Sequence, residues 1–148
     1  MPIPDTLLLA VCAFGADLPA ERVAEAIARG VRAAGMPEPD LCPIEDGARG
    51  MERAAGLDAL GALGFDVRMR RARAVIVGAG RLDRGTLAGS TVFEIATRAR
   101  QAGVPAYGVT GVNELDTFDA RILDLQVILE ASSARGLSAA GRKLARLV

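Results

Sequence analysis

The 148 residues carry eighteen basic and eighteen acidic side chains, a formal net charge of zero, with 51% hydrophobic and 24% charged residues, 17 glycines and 7 prolines. This composition fits one globular domain spanning 1–148 and excludes collagenous, disordered and disulfide-stapled architectures. Balanced charge with no basic stretch argues against nucleic acid as a partner, and the absence of histidine, with Lys143 the only lysine, removes imidazole and nearly all lysine chemistry.

From the N-terminus, the apolar run Leu7 to Val11 reads as a buried strand. It does not read as a secretory signal, because the residues before it include Asp5 and no basic side chain. No apolar run reaches the roughly 18 residues of a membrane span, so a membrane is not an expected partner. Asp17 is the expected cap of a first helix, with Pro19 in its first turn, a stripe at Val23, Ile27, Val31 and Ala34, and Gly35 at its end. Asp40 to Ile44 reads as a short second strand, followed by a loop bearing Asp46 and Gly47. Cys12 and Cys42 lack CxxC spacing and read as buried thiols of a reducing, cytoplasmic environment.

Leu57 to Phe65 reads as a short helix. The cluster Arg68, Arg70, Arg71 and Arg73 reads as a solvated face ahead of a third strand, Ala74 to Val77, that ends in Gly78-Ala79-Gly80. Thr91 with Glu94 forms an expected capping box for a helix that Gly103 and Pro105 terminate. Ala106 to Val109 is the fourth strand, a helical turn spans Asp116 to Ile122, Leu125 to Leu129 is the fifth strand, and Ser138 to Val148 is a final helix. Alternating helices and doubly apolar strands predict an α/β fold with a mostly parallel five-strand sheet, helices on both faces, and Leu7, Leu9, Val11, Val75, Val77, Ala106 and Val109 in the core. Ligands in such folds bind beyond the C-terminal strand ends. That directs attention to Phe14–Asp17, Glu45–Gly50, Gly78–Ser90 and Thr110–Glu114.

The segment Gly78 to Asp83 (GAGRLD) lacks the third glycine of a dinucleotide fingerprint, and Gly85 to Ser90 (GTLAGS) lacks the spacing and lysine of a P-loop. These glycines read as turns, although backbone N–H groups at Gly78 to Gly80 and at the next helix N-terminus are also suited to an anion. Asp46 is either a turn aspartate or a ligand of magnesium or a substrate hydroxyl. Arg81 and Asp83 are either a loop-fixing salt bridge or an anion-binding group with its orienting partner. Thr110 and Asn113 lie at the end of the fourth strand, where they would line the same crevice.

The whole string VGAGRLDRGTLAG, Val77 to Gly89, resembles the signature of the type 1 glycerate kinases. Similarity extends to Leu63–Asp83, Gly103–Gly111, the first strand-helix unit with Leu18–Val31, and the loop Pro43–Gly50. The resemblance implies a Rossmann-like, doubly wound domain, made continuous by loss of the large segment that the family inserts between about Gly50 and Leu57. It implies site residues at Asp46 and Asp83 for catalysis and at Gly78, Gly80, Arg81, Thr86 and Gly89 for cofactor binding, with ATP and magnesium if the chain is enzymatic. The framework is matched better than the charges. Cys12, Ala13 and Gly15 stand where the family has aspartate, serine and lysine, and Arg49 and Ala79 replace glutamate. Gly85 replaces glutamine and Ser90 replaces lysine. Phosphoryl transfer rests on such charges. The expectation is therefore a degenerate, non-catalytic module that binds a small hydroxy acid or nucleotide, covers its exposed crevice by homodimerising, and resides in the cytoplasm. The alternative is an ATP-dependent glycerate kinase acting as an oligomer or with a partner chain, and a third is a purely structural partner in a larger assembly.

Overall fold

The computed structural model describes residues 5–44 and 60–148. Strand β1 (Leu7–Val11) forms from an unbroken apolar run, and all five of its residues are buried, as a strand covered on both faces requires. Helix α1 (Ala20–Ala33) follows, capped by Pro19 in extended backbone and not by Asp17. The reason is local: Leu18 N–H donates to the Gly15 carbonyl, which closes a turn with Asp17 inside it, two residues too early to cap. Strand β2 (Asp40–Pro43) comes next, then residues 60–62 in helical conformation and helix α2 (Phe65–Arg70). Strand β3 (Ala74–Leu82) leads into a 3-10 helix (Arg84–Ala88) and helix α3 (Thr91–Ala102). Strand β4 (Ala106–Asn113), helix α4 (Thr117–Leu123), strand β5 (Ile128–Glu130) and helix α5 (Ala134–Leu147) complete the order.

The sheet is parallel throughout, in the order β2-β1-β3-β4-β5. Leu8, Ala10, Val75 and Val77 pack on one face against Phe65 and Met69 of α2 and Val92, Ile95 and Ala99 of α3. Leu7, Leu9, Val11 and Ile76 pack on the other face against α1 and α5. Every residue expected in the core is buried, and the α/β, doubly wound, Rossmann-like arrangement is the one the element alternation predicts. Among the described residues no helix is long and apolar enough to cross a membrane.

Several boundaries differ from the sequence reading. The short helix expected to end at Phe65 is interrupted at Gly64, whose φ of 63° is left-handed, and α2 starts at Phe65. Ser90, not Thr91, caps α3, because its hydroxyl oxygen accepts from Phe93 N–H. Strand β5 starts three residues later than expected. Gln126 N–H donates to the Ala106 carbonyl and Gly108 N–H to the Val127 carbonyl as the chain joins the sheet edge, so the ladder proper runs from Ile128. Helix α5 starts four residues earlier than expected, capped by Ser133 through Gly136 N–H.

The arginine cluster is not uniformly solvated. Arg68 is only 27% exposed and forks onto Asp40, with Nε donating to Oδ2 at 2.9 Å and Nη2 to Oδ1 at 2.5 Å. It also donates to the Leu41 carbonyl at 2.8 Å. The bond to Asp40 stabilises the guanidinium charge more than partial burial opposes it, so its pKa is raised, while burial pushes the neighbouring Cys42 thiol up. Arg68 thus ties α2 to the edge strand β2. Arg68→Ala is expected to cost about 2 kcal/mol and about 4–8 °C of Tm in a thermal melt. Arg68→Lys should recover only part of that, since an ammonium cannot make the forked contact.

Candidate functional site

Strand order reverses between β1 and β3, so the crevice beyond their C-terminal ends is the topological switch point. Val11, the last residue of β1, is in register with Gly78, and β3 continues for four residues beyond it. Gly78 and Gly80 therefore lie inside a strand. Gly78 is in register with Val109, Ala79 with Thr110 and Arg81 with Val112 of β4, so this segment is paired sheet and not the expected open turn.

The glycines have a different physical reason. The chain leaving β1 folds over β3, held by Cys12 N–H donating to the Gly78 carbonyl at 2.8 Å. A Cβ on Gly78 would lie 2.9 Å from Val11 Cγ1, and one on Gly80 would lie 3.2 Å from Phe14 Cα. Both positions keep the backbone bare so that Phe14 can sit on the strand. Gly111 does the same between strands, since a Cβ there would lie 2.7 Å from the Gly80 carbonyl oxygen.

Beyond β3 the polar residues bond to one another. Arg81 forms an ion pair with Glu114, whose own N–H donates to the Leu82 carbonyl. Asp83 does not pair with Arg81. Its carboxylate accepts from Thr86 N–H at 3.2 Å, and its N–H donates to Thr86 Oγ1 at 3.1 Å, a reciprocal cap on the 3-10 helix. Gly89, with φ 106°, then turns the chain so that the Ser90 hydroxyl donates to the Thr86 carbonyl while capping α3. The Thr91 hydroxyl is 2% exposed and has no hydrogen-bond partner among the described residues.

Thr110 is buried, and its hydroxyl donates to the Val112 carbonyl. Asn113 accepts from Leu115 N–H through Oδ1, and its own N–H donates to Glu130 Oε2. Asn113 also lines an open cleft of about 380 Å³ with Leu115, Asp116, Thr117 and Arg121. This cleft lies at the β4–α4 corner, one strand away from the switch point. Gly78, Gly80, Arg81, Asp83, Thr86 and Gly89 are thus brought together along β3 and the turn after it, whereas Asp46 lies outside the described residues. Sequence reasoning missed Glu114 as the partner of Arg81. The signal is the pairing of β3 with β4, visible only once both strands are known to extend to Leu82 and Asn113. No group of three or more His, Cys, Asp or Glu side chains able to hold a metal occurs among the described residues.

Against this geometry, a model of the glycerate kinase family matches residues 52–135, more than half of the chain. The chain belongs to the glycerate kinase family. A solved structure, a putative glycerate kinase 2 from Salmonella typhimurium LT2, aligns with a TM-score of 0.47 and 17% identity. The alignment covers 63% of this chain and 25% of that one. No curated protein matches.

Proposed function

We propose that this member of the glycerate kinase family is a single Rossmann-like, cytoplasmic binding module that takes a small anionic hydroxy acid or a nucleotide at the end of β3 without phosphorylating it. One observation carries the reading: Arg81 and Asp83 at that end each already have a partner within the chain. Arg81 is neutralised by Glu114, and the Asp83 carboxylate accepts the Thr86 N–H. Phosphoryl transfer instead needs carboxylates free to hold magnesium and cations free to face phosphates. Among the described residues no group of three or more carboxylate, thiol or imidazole side chains stands ready for magnesium. Binding asks for less, since an exposed Arg81 that exchanges Glu114 for a ligand carboxylate or phosphate keeps its charge paired. In a thermal-shift experiment, glycerate or ATP at a hundred times its dissociation constant is expected to add about 2.7 kcal/mol, or about 5–11 °C. The shift should shrink in Arg81→Gln. No shift with either ligand at millimolar concentration contradicts the proposal.

Self-association follows from the same face. Phe118 is 72% exposed, and Ile122, one turn along α4, and Val112, near the end of β4, are also exposed. An apolar group of this kind beside the strand ends is suited to burial against a second copy across a two-fold axis. Sedimentation velocity at about 100 μM should give a dimer that Phe118→Asp converts to monomer, a concentration at which dissociation constants of micromolar order are saturated. A wild-type monomer at that concentration contradicts it.

A further inference from the structure

Among the described arginines, Arg32 bonds to Glu25 and Glu38, Arg68 to Asp40, Arg81 to Glu114, Arg84 to Asp119, and Arg98 to Glu94 and Asp66, whereas the other ten form no ion pair with a described residue. Three of those ten converge on the seam between α1 and α5. A groove of about 360 Å³ there is lined by Arg29 on α1 and by Arg135 and Arg142 on α5, above a floor that includes Gly30, Ala33 and Ser138. No carboxylate lines it, and none of the three arginines forms an ion pair with a described residue. Helix α5 carries Arg135, Arg142, Lys143 and Arg146 and no acidic residue. In a chain of zero net charge, this is a local concentration of unneutralised cations.

The seam is also rigid. A Cβ on Gly30 would lie 1.8 Å from the Ser138 carbonyl oxygen, and the Ser138 hydroxyl donates to the Ala26 carbonyl at 2.8 Å. The backbones that carry the three guanidinium groups are therefore fixed relative to one another, and little ordering of the framework remains to be done when a ligand arrives.

We propose that this groove is an anion site, separate from the end of β3, for a small molecule bearing two or more phosphate groups. Guanidinium forks match phosphate oxygens in pairs, and three of them around one groove suit a multiply charged ligand better than a single carboxylate. The volume lies in the small-molecule range. The lining offers no aromatic or large aliphatic anchor of the kind that dominates protein interfaces, so an acidic protein segment is the poorer fit.

Calorimetric titration of the whole chain with tripolyphosphate tests this, with hexaglutamate as the competing probe. Binding should weaken about tenfold or more in Arg135→Gln and in Arg142→Gln, and fall further in the double variant. Arg73→Gln, which removes an equal charge from an exposed residue at the start of β3, should leave it unchanged. The three positions are exposed, so unchanged circular dichroism and melting are expected and confirm that folding is intact. Absent binding, equal losses in Arg73→Gln and the groove variants, or tighter binding of hexaglutamate than of tripolyphosphate would each overturn the proposal.

Discussion

Gly30→Ala is expected to cost about 3 kcal/mol or more and to lower Tm by about 6–12 °C. The added methyl would lie 1.8 Å from the Ser138 carbonyl oxygen and 2.7 Å from Arg142 N. Both neighbours are backbone, so no side-chain rotation relieves the clash, and α1 and α5 must separate. Gly141 is the mirror of this contact, with its own Cβ position 2.1 Å from the Ile27 carbonyl oxygen. Separation would loosen the layer that covers Leu7, Leu9, Val11 and Ile76. Gly61→Ala is the control: it sits in helical backbone with nothing within 4 Å of the new methyl. Removing backbone freedom there should gain about 0.5–1 kcal/mol. Equal melting temperatures for Gly30→Ala and wild type would contradict the close helix seam.

The second large effect is on chemistry. Measured against the family signature, Cys12, Gly15, Ala79 and Ser90 stand where charged residues are expected, and the structure gives three of these positions other work. Cys12 N–H bonds to the Gly78 carbonyl, Ala79 packs against the core beneath α3, and Ser90 caps that helix. Losing one preorganised charged contact typically costs on the order of 3 kcal/mol of transition-state stabilisation, roughly a hundredfold in rate. Even if non-additivity leaves only two independent losses, turnover is expected to lie about ten-thousandfold below the usual kinase range of roughly 1–100 per second.

The central strands were legible because burial on both faces writes an unbroken apolar run, as in Leu7 to Val11 and Ala74 to Val77. Their ends were not. Gly78, Gly80 and Gly111 look like turn residues in a local reading, but they lie inside strands because Phe14 and the neighbouring strand approach too closely for a side chain. That cause is tertiary and leaves no local trace. The same holds for polar partners: Arg68 reads as one of several surface arginines until α2 is docked beside Asp40, and Arg81 finds Glu114 only through strand register. Ser90, Asp116 and Ser133 obey the local preference for Ser and Asp as caps, but only Asp116 stands where the sequence reading starts its helix. The displaced cap at Pro19 shows that even this local rule yields to a preceding turn.

The most direct measurement is a coupled ATP-consumption assay on the purified chain with magnesium and glycerate. Asp83→Asn serves alongside it, because asparagine caps a helix about as well as aspartate and so removes the charge while sparing the turn. The account predicts turnover no higher than about 0.01 per second for the wild type, with no further loss in Asp83→Asn. Wild-type turnover of roughly 1–100 per second, abolished in Asp83→Asn, would show that the residues around β3 still carry out phosphoryl transfer.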